Sequence, residues 1–389
     1  MKAFTHRVLL LLATLPFAAA LQAGEPRARD LGVPFEGTPG PLNAITDVAG
    51  VEVGHSTIVS ADGVEPVVRT GVTAVLPRGK RAPTEAVFAG WFSQNGNGEM
   101  TGTTWVKESG LMYGPVMITN THSVGVVRDA VIAWGLQHYH FDTSDWWSLP
   151  VVAETWDGWL NDINGFHVKP EHAFAALDTA STGPVAEGNV GGGTGMICYE
   201  FKCGIGTASR IVEDDGKRYT VGVLLQANFG TRPELLVAGV PVGHEVPEQP
   251  AYAALAPRRS DRDMGSVIVI VGTDAPLLPH QLDRIARRVT MGIARSGAVA
   301  GNGSGDIFLA FSTANPEASA ATGLPALHML PNERITPFFT ATVQAVDEAV
   351  MNALVAARTT TGFEGNTAIA LPHARLRAAL KKYNRLAAP

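Results

Sequence analysis

Two cysteines in 389 residues are too few for a fold held together by disulfides. Lysine and arginine never run more than two in a row and the formal charge is −6. The basic patch of a nucleic-acid surface is therefore missing, and nucleic acid is not an expected partner. Charged residues make up only 17%, which argues against intrinsic disorder and against a highly charged binding face. After the first 23 residues no stretch reaches the roughly 18 uncharged apolar residues of a membrane helix, so the rest of the chain is expected to be soluble. Glycine is abundant, at 42 residues, and 46% of the chain is hydrophobic. That combination suits a large, tightly packed globular protein with many turns.

The N-terminus reads as an export signal. Lys2 and Arg7 form a basic start, Val8 to Leu15 is apolar apart from Thr14, and Ala18-Ala19-Ala20 and Ala23 offer small residues for cleavage. Removing residues 1–23 leaves a charge of −8 and a periplasmic or secreted chain. An uncleaved anchor is the alternative, less suited to an apolar core this short and interrupted by Pro16. Cys198 and Cys203 would point to opposite faces of a continuous strand and could not bond. A hairpin loop over Tyr199 to Lys202 would make them face each other, and an oxidising compartment would permit the bond. The spacing leaves the choice open.

Along the chain, Gly71 to Leu76, Ala86 to Phe92, Val116 to Thr119 and Tyr219 to Asn228 read as strands. The polar stretch Ser93-Gln94-Asn95-Gly96-Asn97-Gly98 follows one of them. Ser123 is placed to cap a helix carrying Val127, Ala130, Val131 and Trp134. Residues 244–263, with three prolines and a charged string, read as an exposed linker. Next, Val267 to Val271 is an unbroken buried strand. Thr273-Asp274-Ala275-Pro276 reads as a helix start, Gly297 as that helix's end, and Ile307 to Phe311 as the following strand. A long helix is expected from about Pro337 to Arg358 and a last one from about Pro372 to Leu386. Strands that bunch together, with long apolar helices after them, suit sheets layered with outer helices.

Gly265-Ser266, where the linker meets the buried strand, is the sharpest local feature. Glycine lets a scissile carbonyl be approached. Cleavage there would give Ser266 an α-amine with a pKa of about 7.7–8, fit to act as a base. Ser304 and Asp306, two apart in a glycine-rich loop, would project to one face if that loop is extended. The Gly191-Gly192-Gly193-Thr194-Gly195 run lacks a phosphate-loop lysine and reads as a close backbone approach. His138, His140 and Asp142 have no second cluster to complete a metal site. His122 and His280 read as structural, hydrogen-bonded residues.

Several stretches, in order, resemble the self-cleaving L-aminopeptidase/D-esterase (DmpA-like) and β-aminopeptidase family. They include Arg69 to Val75, Glu154-Thr155-Trp156-Asp157-Gly158, Gly204 to Arg210, Gln226-Ala227-Asn228-Phe229-Gly230, Gly265 to Leu282, Ser304 to Thr313, Gly365-Asn366-Thr367 and Leu371-Pro372-His373. The resemblance implies a single large α/β domain, a four-layer αββα sandwich. It implies a precursor that cleaves itself at Gly265-Ser266 into an α chain, 24–265, and a β chain, 266–389, that stay associated. Ser266 would be the nucleophile, with Ser304 and Asp306 relaying protons. Asn228 would stabilise the oxyanion and Glu154 would anchor the substrate's ammonium. Some relatives have Glu in place of Asp306, and the family often has Tyr, credited with oxyanion or substrate contacts, in place of Trp156. Expected substrates are short peptides, amides or esters with a free amine. No metal or organic cofactor is implied, and αβ units are expected to form a homo-oligomer. Two alternatives are an acyltransferase of the ornithine acetyltransferase type, which cleaves before Thr, and an uncleaved, non-catalytic periplasmic binding or scaffold protein.

Overall fold

The computed structural model describes residues 26–61, 63–81, 85–141, 146–252, 265–320 and 322–387. The expected signal segment, the linker from residue 253 on and Asp142 lie outside these. One sheet orders β1 (Glu52–Val59), β2 (Arg69–Leu76), β5 (Val116–Asn120) and β6 (Val151–Thr155). A second orders β4 (Leu111–Met112), β3 (Val87–Ser93), β12 (Gly305–Ser312), β11 (Ser266–Thr273), β10 (Lys217–Asn228) and β9 (Ile205–Asp214).

Strand alternation explains the layers. Every residue of β11 is buried. Ile268 and Ile270 pack with Leu224, Leu309, Ile118 and Val75 between the sheets. Val267, Val269 and Val271 face outward onto two helices, Pro279–Arg295 and Thr336–Val355, through Leu282, Ile285, Val289 and Val346. On the far side, Val72, Ala74, Met117 and Val152 pack against helices Val124–His138 and Pro170–Asp178. The result is the four-layer αββα sandwich, with each sheet covered by helices on its outer face.

The connection from β11 through helix Pro279–Arg295 to β12 joins parallel neighbours, as a crossover must. It sets the first residues of β11 and β12 side by side. Antiparallel β10 ends beside the start of β11, β3 ends beside the start of β12, and the parallel β5 and β6 end together in the facing sheet. The resemblance-bearing segments around Asn228, Ser266, Ser304 and Glu154 therefore meet at one end of the sandwich.

Three local expectations are revised. The helix does not begin at Pro276: Thr273 still pairs with Val221 in the sheet, and the helix starts at Pro279. The Gln281 side chain there accepts the Leu278 N–H, and Pro279 supplies the first-turn φ without a wasted donor. Ser123 precedes helix Val124–His138 but makes no side-chain cap, because a 3-10 turn over Thr121–Ser123 leads in. The cysteine question is settled in favour of a disulfide, Cys198–Cys203, with Cα atoms 5.4 Å apart. The loop is tighter than Tyr199 to Lys202. Strands β7 (Ile197–Cys198) and β8 (Phe201–Lys202) are joined by Tyr199 and Glu200 alone, both at positive φ, as a two-residue hairpin turn requires.

Candidate active site

Ser266 opens β11, 4% exposed, with its Cα opposite Asn228 on β10 and Gly305 on β12. Its Oγ is buried with no hydrogen-bond partner among the described residues, none of which engages the hydroxyl's lone pairs. The carbonyl of Gly265, the bond expected to break, accepts the Gly305 N–H at 3.1 Å. Gly305 must lack a side chain, because a Cβ would sit 2.4 Å from the Asn97 carbonyl. The polar stretch after β3 thus closes directly over the strand heads. Asn95 and Asp306 exchange backbone contacts, and Asn97 Nδ2 holds the Gly303 carbonyl at 2.7 Å.

Ser304 and Asp306 do project together: Ser304 Oγ donates to Asp306 Oδ1 at 2.7 Å. The shorter aspartate therefore reaches its partner. Asn95 Nδ2 approaches the other carboxylate oxygen at 3.4 Å. Register puts Asp306 on the outer face with Phe308, whereas Ser266 shares the inter-sheet face with Ile268. The pair thus flanks the main chain at residues 265–266. It lines a cavity of about 180 Å³ with Val267, Thr290, Ile293 and Val299.

Asn228 is held at both ends of its amide. Oδ1 accepts the Ile197 N–H at 2.9 Å and Nδ2 donates to the Trp156 carbonyl at 2.9 Å, so one amide hydrogen remains for a ligand. Trp156 enters the site through its backbone; its indole packs so closely over Gly158 that a Cβ there would meet the ring at 2.8 Å. This backbone tie does not depend on whether residue 156 is Trp or Tyr. Glu154 is 4% exposed, although residue type alone suggests a solvated acid. Its oxygens accept from Thr121 Oγ1 at 2.5 Å and the Glu99 N–H at 3.0 Å. Burial raises its carboxyl above the ordinary range, against these hydrogen bonds. A Cβ at Gly98 would lie 3.1 Å from Gly305 Cα and 3.3 Å from Glu154 Oε1, so the carboxylate and the head of β12 border the same glycine.

Other residues of the matched segments support these. Fully buried Asp157 accepts from Asn120 and Asn161, with its pKa pushed up to about 6 by burial. Gln226 Nε2 bridges the sheets to the Thr119 carbonyl and Thr155 Oγ1. The glycine run 191–195 is a close backbone approach as expected: a Cβ at Gly195 would lie 2.5 Å from the Arg69 carbonyl oxygen and one at Gly193 2.5 Å from the Ile205 nitrogen. Contrary to expectation, neither His122 nor His280 makes a side-chain hydrogen bond among the described residues; His122 stacks on Phe166 and His280 is exposed. His138 holds the Trp134 carbonyl through Nδ1. Among the described residues no group of three His, Cys, Asp or Glu could hold a metal, and no helix is long and apolar enough to cross a membrane. Sequence reasoning missed the Gly305 N–H, Asn95 and Lys202, a buried lysine in the disulfide hairpin; the glycine-rich contexts of Gly305 and Asn95 carried a signal, and that of Lys202 did not.

A hydroxyl at the head of a buried strand, in a sandwich of two helix-covered sheets, points to a class, the N-terminal-nucleophile hydrolases. The chain belongs to peptidase family S58, whose sequence model matches residues 43–368. It is 57% identical over 390 residues to the β-peptidyl aminopeptidase BapA of Sphingosinicella microcystinivorans, covering 97% of this chain and 98% of that one. The L-aminopeptidase D-Ala-esterase/amidase of Ochrobactrum anthropi, described as a variant of the Ntn hydrolase fold, superposes with a TM-score of 0.87 at 48% identity, over 93% of this chain and all of that one. A Burkholderia β-aminopeptidase superposes with a TM-score of 0.82 at 46% identity, over 92% and 99%. The chain is a serine aminopeptidase, which sets aside the acyltransferase and scaffold alternatives.

Proposed function

We propose that the chain severs its own Gly265–Ser266 bond and that Ser266, freed as the N-terminus of chain 266–389, removes N-terminal residues from short peptides, amides and esters. The substrates carry a free amine, and β-amino residues are the preferred class. The observation behind this reading is the buried Ser266 Oγ, without a hydrogen-bond partner among the described residues, beside a carbonyl already held by the Gly305 N–H.

In self-cleavage Oγ adds to the Gly265 carbonyl carbon while the Gly305 N–H supports the developing oxyanion. Collapse expels the Ser266 nitrogen, which takes up the proton that Oγ released. The resulting ester is hydrolysed by water. In turnover the new α-amine takes the Oγ proton as Oγ attacks the substrate carbonyl, and the Ser304–Asp306 pair beside that main chain orients the amine and handles its proton. The remaining Asn228 N–H donates to the oxyanion. The protonated leaving group departs, and water then releases the acid from Ser266. Glu154 binds the substrate ammonium through a charge-assisted hydrogen bond.

The preference for β-amino residues is supported by the names of the relatives with which this chain shares its length. Its test is a panel of p-nitroanilides of β-homoalanine, L-alanine and D-alanine with the processed enzyme. The β-homoalanine compound is expected to show the highest kcat/KM; turnover of the L-alanine compound alone would overturn the preference. We also read residues 1–23 as a signal removed on export to the periplasm, and the αβ units as assembling into a homo-oligomer, which light scattering of the processed enzyme checks.

Glu154→Gln is expected to raise KM by about ten- to a hundred-fold, the equivalent of about 1.5–3 kcal/mol for a hydrogen bond to a charged group, with kcat less affected. Because burial raises the Glu154 pKa, the carboxylate gains its proton at a higher pH than an ordinary glutamate would. Ammonium binding is therefore complete above that raised value and is lost as pH falls through it. The wild-type KM should climb on that acid limb, and the Gln variant should lack it. Steady-state KM against pH reads both.

A further inference from the structure

Lys202, on β8, is fully buried and, among the described residues, has no carboxylate as a hydrogen-bond partner. Nζ donates to the carbonyls of Gly193 at 3.3 Å, Met196 at 2.9 Å and Cys203 at 2.5 Å. A neutral amine has two hydrogens; three acceptors require the three of an ammonium. Burial works against that charge and pulls the pKa down to about 7. A buried cation facing only carbonyl dipoles is costly, and an apolar side chain would fill the same space without the cost.

The Met196 oxygen and the Ile197 N–H belong to one peptide group. Lys202 and the Cys203 N–H, at 3.0 Å, both donate to that oxygen. On its other side the same peptide donates to Asn228 Oδ1 at 2.9 Å. A positive charge on a peptide oxygen makes its N–H a stronger donor; that N–H draws electron density onto Oδ1, and the amide's Nδ2 hydrogens become more positive in turn. The hairpin turn at Tyr199–Glu200 and the Cys198–Cys203 disulfide hold this peptide in place.

We propose that Lys202 is a positioning residue for the reaction, fixing and polarising the 196–197 peptide so that the Asn228 amide is aimed and strengthened as an oxyanion donor. The proposal rests on the reading of Asn228 as that donor. The carbonyls that Lys202 holds belong to Gly193, Met196 and Cys203 and not to Ser266, so its influence should be confined to steps in which Asn228 acts, and should show in kcat and not in KM.

The test is a double-mutant cycle on the processed enzyme. Lys202→Met, which keeps the volume and removes the charge, is expected to lower kcat about ten-fold with KM within two-fold of wild type. In an Asn228→Ala background the same substitution should change kcat by less than two-fold. If Asn228→Ala slows self-cleavage, the rate of that cleavage on denaturing gels provides the same comparison. If Lys202→Met does not accumulate, Lys202→Gln, which keeps two donors without charge, carries the same expectation. An unchanged kcat in the lysine variant, or a full ten-fold loss added to that of Asn228→Ala, would overturn the proposal. If Asn228→Ala alone leaves kcat unchanged, the reading of Asn228 fails, and that is visible before Lys202 is altered.

Discussion

A Ser266→Ala chain is expected to remain one polypeptide and to lose at least about a thousand-fold of its activity, since nucleophile and processing site are the same residue. On denaturing gels the wild type should give fragments of 242 and 124 residues, counted from residue 24, and the variant a single band. The substitution is mild for the fold: Ser266 is buried at a strand head and its Oγ has no partner to lose among the described residues. A folded variant without cleavage therefore reports on chemistry. A variant that still cleaves at this bond would show that another group attacks it.

Asn228→Ala is expected to reduce kcat by about a hundred- to a thousand-fold, equivalent to about 2.7–4 kcal/mol of barrier for one oxyanion donor, with KM little changed. Some stability should go too, because the buried Ile197 N–H loses its acceptor, at about 1–3 kcal/mol. Urea unfolding of the variant separates this from catalysis. Asn228→Asp is a sharper probe. It keeps the acceptor for Ile197 but puts a carboxylate where an anion forms and an oxygen against the Trp156 carbonyl. Its kcat should fall at least as far as that of the alanine variant, whereas a purely structural Asn228 would tolerate Asp better than Ala.

Much of this was legible in the chain itself because the strongest signals are local. The run from Val267 to Val271 reads as a doubly buried strand, and the glycine before Ser266 marks its abrupt start. The Ser304–Asp306 pair followed from alternation in an extended loop, and the hydrogen bond between them bears it out. What local pattern misreads is whatever distant partners decide. Pro276 resembles a helix start, yet pairing of Thr273 with Val221 holds the chain in the sheet for longer. Glu154 looks like a surface acid, and its burial comes from Thr121 and Glu99, far away in sequence. Trp156 draws attention to its ring, although its backbone carbonyl is what reaches Asn228. Lys202 gave no signal, since its three acceptors converge only once the hairpin has closed.

The most direct measurement is intact mass spectrometry with N-terminal sequencing of a fully active preparation. The account predicts two chains in equal amounts, one of them beginning with Ser266 as a free amine. Full activity from a chain whose Gly265–Ser266 bond is unbroken, or a new terminus at another residue, would contradict it.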